Sequence, residues 1–187
     1  MKRLQDCWNE NLVWERIKPL QPQFELRLGD EVLARMSKAM INTKGEAEAQ
    51  DGQWTMKSEG MWKTRIMVRE AQSGTIVATM PWAVPMGKIP ARILELTNGT
   101  QYPLFLNIGK GGNLESGFTT PTGRFLVSGR SEGMADKHKG IVRIDSAAQT
   151  LPELSLLVCL SWYLNMFAVQ DAASRGGAMG GALGAAG

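Results

Sequence analysis

Residues 151–169, LPELSLLVCLSWYLNMFAV, are apolar on every side of a helix and follow a long stretch patterned as β-strands. A helix without a polar face has to be surrounded, by protein or by lipid. Pro152 suits a first helical turn, Thr150 is placed to cap it, and Glu153 puts negative charge at the positive end of the dipole. Leu, Met and Ala dominate, and only Val158 and Val169 are β-branched. The next breaker is Gly176-Gly177, so a helix is predicted over 152–172, roughly 31 Å long at about 1.5 Å per residue. Its polar residues Ser155, Ser161 and Asn165 fall on scattered azimuths.

Before the helix, from 12 to 145, short alternating runs are separated by turn residues. Phe24, Leu26 and Leu28 alternate with Glu25 and Arg27 and end at Gly29-Asp30. Trp54 and Met56 alternate with Thr55 and Lys57 just after Asp51-Gly52. Ile66 and Val68 alternate with Arg65, Met67 and Arg69, and Ser73-Gly74 then turns the chain. Asn98-Gly99 joins two further runs with a strong hairpin signal. No strand–helix–strand rhythm is present. A helix about 10–12 Å across is too wide for an eight-stranded barrel filled by its own side chains. Eleven or about twelve strands can enclose one. The expected fold is therefore mainly β: a closed antiparallel barrel of about twelve strands around the C-terminal helix. The expected organisation is an N-terminal segment 1–11, one barrel domain 12–174 and a disordered Gly/Ala tail 175–187.

The competing fate for the helix is a bilayer. A span needs about 20 mostly apolar residues. The run 154–169 is shorter, holds two serines and an asparagine, and is followed only by Arg175 among nearby cations. A barrel core is the better fit. The alternative is a membrane-anchored, lipid-translocating protein that inserts 152–172.

Composition narrows the chemistry. The chain is 43% hydrophobic and 21% charged, with a net charge of +3. Cys7 and Cys159 are its only cysteines, which suits a reducing compartment, and Lys2-Arg3 is not followed by a leader-like apolar run. A cytoplasmic monomer, open to association with a membrane, is the expectation. His138 is the single histidine and sits in a charged loop-like segment; Cys159 lies in the apolar helix, where burial makes a thiol inert. Zinc-type spacing is lacking. The run Gly109-Lys110-Gly111-Gly112 fails as a phosphate loop: Leu104 stands where the first glycine is needed, and Gly111 where Ser or Thr is needed. A hairpin turn accounts for it. No carboxylate pair stands out, so neither catalysis, a metal nor a cofactor is expected. Trp8, Trp14, Trp54 and Trp62 read as core or barrel-rim residues, and Trp82 as either an exposed loop aromatic or a buried rim residue.

Basic residues form two groups: Lys57, Lys63, Arg65 and Arg69, then Arg124, Arg130, Lys137, Lys139 and Arg143. Either could make a patch for an anionic lipid headgroup, with nucleic acid a weaker candidate. The plain alternative is an ordinary solvated barrel exterior.

Three pieces of sequence carry a family resemblance: FELRLGDEVLA at 24–34, DGQWTMK at 51–57 with Gly60-Met61-Trp62, and LPELSLL at 151–157 with Leu160-Ser161-Trp162-Tyr163-Leu164. Together they resemble the Tubby C-terminal-like superfamily, which includes phospholipid scramblases and plant LURP-one-related proteins. The likeness covers most of 12–172 and is greatest to small bacterial members of unassigned function. It implies a twelve-stranded barrel around a hydrophobic helix. Tubby proteins bind phosphoinositides through basic residues, and scramblases are linked to calcium-dependent lipid movement. The motifs that carry the likeness are structural, and no lipid- or calcium-site residue is carried over with them. The function expected is a non-enzymatic binding or scaffold module for anionic phospholipid headgroups.

Overall fold

A computed structural model describes residues 2–18, 22–39, 43–60, 65–82, 92–108, 114–131 and 139–182. Twelve strands are present among them: β1 (Leu12–Arg16), β2 (Gln23–Leu28), β3 (Glu31–Lys38), β4 (Gly45–Ala49), β5 (Gly52–Glu59), β6 (Arg65–Glu70), β7 (Ile76–Pro81), β8 (Ile93–Leu96), β9 (Gln101–Ile108), β10 (Leu114–Thr119), β11 (Phe125–Ser131) and β12 (Lys139–Ile144). Each pairs antiparallel with its sequence neighbour, and β12 closes on β1. The turn glycines do what their positions demand: Gly29 and Gly99, at φ 58° and 85°, supply left-handed backbone between β2 and β3 and between β8 and β9. Closure gives every described strand a neighbour on both sides.

Helix α1 (Leu154–Ala182) fills the barrel with its first part, where the buried residues run from Leu154 to Ala168. It starts two residues after Pro152 and continues through Gly176-Gly177, past the expected end at 172, so part of the expected tail is helical. Glycine is only a weak helix former, whereas proline, which removes a ladder bond outright, is lacking there. From Leu154 to Asn165 every residue is buried. The window Leu154–Asp171 is long and apolar enough to cross a membrane, yet 78% of it is buried within the protein.

The alternation read from the sequence sorts most of the wall, with Glu25 and Met67, counted against the apolar sets, buried as well. Phe24, Leu26, Met56, Ile66 and Val68 are buried, while Lys57 and Arg65 are exposed. The rotation of the helix is set residue by residue, since successive positions turn by about 100°. Ser161 faces β10–β11, where the Ser116 hydroxyl donates to its carbonyl at 2.9 Å and the bare Gly129 leaves room. Trp162 faces β12, β1 and β2. It stacks on Trp14 at 5.9 Å, meets Phe24 edge-on at 5.6 Å, and lies so near Gly140 that a Cβ there would come within 2.1 Å of the ring. Tyr163 faces β4, where a Cβ on Gly45 would fall 2.7 Å from its ring, and its hydroxyl donates to the Thr43 carbonyl at 2.6 Å. Three neighbouring bulges or hollows on the helix thus meet three matching sectors of wall. Fully burying side chains of this size contributes about 1.5–3 kcal/mol each.

The helix is also held where it enters and leaves. Glu153, expected to favour the helix dipole, accepts a hydrogen bond from the Tyr102 hydroxyl of β9; burial and this carboxylate push that phenol's pKa up. Lys38, at the end of β3, donates to the Gln170 side chain, and the Trp82 indole donates to Asp171 at 3.4 Å. Trp82 is therefore a buried rim residue, packed on Phe167 and capped by the Arg92 guanidinium 4.2 Å from its ring. The segment before β1 joins the core through Leu4 and Cys7, whereas Trp8 is 41% exposed, not the packed residue expected. A short 3-10 turn puts these two buried side chains against the barrel and leaves Trp8 on its outer side. Trp54 is half-buried, and Trp62 lies outside the described residues.

Candidate functional site

The two basic groups sit on different parts of the wall. Strands β5 and β6 carry Lys57, Arg65 and Arg69; β11, β12 and the turn before β11 carry Arg124, Arg130, Lys139 and Arg143. Around the barrel, β6 and β11 are separated by β7 to β10, so the groups do not converge. Lys63 and Lys137 lie outside the described residues, as do His138 and the glycines at 109–112.

On the first face, Lys57 pairs in register with Met67, which places Arg65 and Arg69 at its two diagonals. Acids interleave with them. Arg69 contacts Glu59 at 3.3 Å, Glu59 also stands opposite Arg65, and Glu70 ends the strand.

The second face is more cationic. From β9 to Asp145 the described residues hold Arg124, Arg130, Lys139 and Arg143 against Glu115 and Asp145. Arg124 is committed to Asp145 at 2.5 Å. The Asp145 carboxylate is held below its ordinary pKa first by the Ala147 N–H, which it caps at 2.8 Å, and, against the opposing effect of burial, also by Arg124 and Ser146. Lys139 pairs with Glu15 across β1 at 3.2 Å. Arg130 and Arg143 make no ion pair with a described residue. Arg130 is in register with Ile141 and Arg143 with Ser128, so the two arginines are exposed diagonal neighbours on the outer face, and on its other side Arg130 stands opposite Glu115 without forming an ion pair to it. Diagonal positions on antiparallel strands lie about 7–8 Å apart. Two unpaired guanidiniums at that spacing can converge on one phosphate or carboxylate.

Beside them the wall is apolar. Phe105 and Phe125 are 36% and 39% exposed and meet edge-to-face at 5.2 Å. Phe105 belongs to the outward row Phe105, Gly117, Ser128, Arg143. Phe125 is outside because of an irregularity in the register. β11 gains a residue against β10 between Phe118 and Thr119, so Leu126 and Val127 are both buried and Phe125 falls on the outer face. Sequence alternation alone counts Phe125 on the same side as Val127, and nothing in the local residues marks the bulge.

The third feature is a groove of about 530 Å³ on the outside of β2 to β5, lined by residues including Arg35, Lys44, Glu46, Glu48 and Gln53. Its charges are satisfied mutually. Lys44 pairs with Glu46 at 2.6 Å, Gln53 donates to Glu48 at 3.3 Å, and Arg35 reaches Glu25 at 3.2 Å. Burial works to raise the Glu25 pKa, but hydrogen bonds from Arg27 and Arg35 outweigh it and hold the carboxylate below its ordinary range. An anion finds no surplus cation there.

The described nucleophile is shut away. Cys159 is fully buried in α1, and burial pushes its thiol pKa up, as it does to a lesser degree for buried Cys7. Among the described residues no three His, Cys, Asp or Glu side chains converge as a metal site.

Comparisons with protein-family models, with curated proteins and with solved structures give no match to this chain.

Proposed function

We propose that this protein is a non-enzymatic binding module that takes anionic phospholipid headgroups on the β9–β12 face, with Arg130 and Arg143 as the anion-binding pair. The observation that carries the reading is that diagonal pair of exposed arginines, neither of which makes an ion pair with a described residue, although Glu115 stands opposite Arg130. Arginine suits the task because its planar fork meets a phosphate through two donors at once. Lys57 and Arg65 form the second-best place, diluted by Glu59 and Glu70. The resemblance to the Tubby-like superfamily supports the same reading, since it calls for a twelve-stranded barrel around a hydrophobic helix.

The module is read as a cytoplasmic monomer, peripheral to the membrane. Nucleic acid fits less well, because the unpaired cations form isolated pairs rather than a track along a phosphate backbone. An inserting, lipid-translocating helix fits less well too: α1 would have to leave the wall that matches Ser161, Trp162 and Tyr163 and abandon the Tyr163–Thr43 hydrogen bond.

Flotation with phosphatidylcholine vesicles, with and without phosphatidylglycerol or a phosphoinositide, tests the reading. Binding is expected only to anionic vesicles and should weaken as salt shortens the screening length to about 10 Å at 0.1 M. Absence of binding at low ionic strength would overturn it.

A further inference from the structure

We infer that the barrel meets the bilayer side-on through β9–β11, with the Phe105–Phe125 pair inserted as an aromatic anchor below the headgroup that Arg130 and Arg143 hold. The inference rests on the lipid reading above and adds which surface penetrates and in what orientation. Its basis is the pairing of two unlike surfaces in one row of the wall. Phe105 and Arg143 are three strands apart, about 14–15 Å at the usual spacing of 4.7–4.9 Å. Only Gly117 and Ser128 stand between them. Nothing bulky within that row therefore holds a flat surface away from either end, and Glu115 flanks it beside Gly117. Pro103 and Ile93, in register with each other, are half-buried outward neighbours of Phe105 and extend the apolar ground.

Two further points favour a lipid surface over a second protein. Among the described residues from β8 to Asp145, Arg124, Arg130, Lys139 and Arg143 outnumber Glu95, Glu115 and Asp145, which matches an anionic interface. The aromatic pair also sits on the rigid, closed wall, so insertion costs no ordering of a loop. Phe125 reaches that position only through the β10–β11 irregularity, which a strand with plain alternation would lack.

The test uses the whole protein and vesicles of phosphatidylcholine with phosphatidylglycerol. Phe105→Ala and Phe125→Ala should each weaken partitioning about tenfold, the double variant more, with the slope of binding against salt unchanged. Arg130→Gln with Arg143→Gln should instead flatten that slope. Both sets are exposed, and matching thermal melts check that the variants fold. Wild-type partitioning left intact in the phenylalanine double variant overturns the aromatic anchor while leaving headgroup binding in place. Failure of the wild type to bind anionic vesicles overturns the lipid reading itself. A wild-type dimer that Phe105→Ala dissociates, in the absence of vesicle binding, would show that the pair is a self-association surface and overturns the inference in that direction.

Discussion

The inner and outer surfaces of the same barrel wall are specified in different ways. Inside, a Cβ on Gly140 would strike the Trp162 ring and one on Gly45 the Tyr163 ring, so these two positions tolerate no side chain without a shift, whereas at Gly129 a Cβ would only touch Ser161 and Asn165. Outside, charges share partners, as Glu25 does with Arg27 on its own strand and Arg35 on β3, and no single contact fixes the geometry. Shape therefore governs the interior, where dense packing makes each atom matter. Solvent screening governs the exterior, where an exposed ion pair contributes little. Stability and binding are consequently carried by different residues, and substitutions should separate them.

The largest effect should come from charging the interior. Leu157→Asp buries a carboxylate with no partner and should remove cooperative unfolding altogether, read by thermal or urea melts. Retention of the wild-type melting temperature would show that the helix is not the core. Next is Gly140→Ala. Trp162 is pinned between Trp14 and Phe24 and cannot swing aside, so the added methyl should cost about 1–3 kcal/mol in a urea titration. Tyr163→Phe keeps the packing but deletes the bond to Thr43, a loss of about 0.5–1.5 kcal/mol in the same titration.

The outer surface should respond weakly in stability and in a pH-dependent way. Glu25 and Asp145 have lowered pKa values in the folded protein. Their stabilisation is therefore present above the unfolded-state carboxylate pKa and is lost as pH falls through the folded one. Glu25→Gln should flatten the acid side of a stability–pH profile and leave the neutral-to-basic side level. Arg130→Gln, the smallest effect, should change stability by no more than about 0.5 kcal/mol while lowering vesicle binding.

The same division explains what could be read from the sequence. An apolar helix with no polar face and strands of period two each report a burial pattern directly, so the barrel, its central helix and the inward sets Phe24/Leu26, Trp54/Met56 and Ile66/Val68 were legible. Gly176-Gly177 misled about the helix end because a propensity of about 1 kcal/mol per glycine is a preference and not a stop. The site was legible only in part. Runs of Arg and Lys reveal that cations exist, but whether they meet depends on strand register and on acids from distant strands, such as Glu15 against Lys139. Arg143 gained its importance from pairing opposite Ser128 beside Arg130, and Phe125 from a one-residue bulge. Neither leaves a mark in local sequence.

The central claim is that α1 stays inside the barrel while the outer wall does the binding. Cys159, in the second turn of that helix and fully buried, reports on it directly once Cys7→Ser removes the other thiol. Labelling of Cys159 by a thiol reagent should proceed only at the rate of global unfolding, and should not accelerate when anionic vesicles are bound. Rapid labelling of the native protein, or acceleration on vesicle binding, would mean that the helix leaves the barrel and would contradict the account.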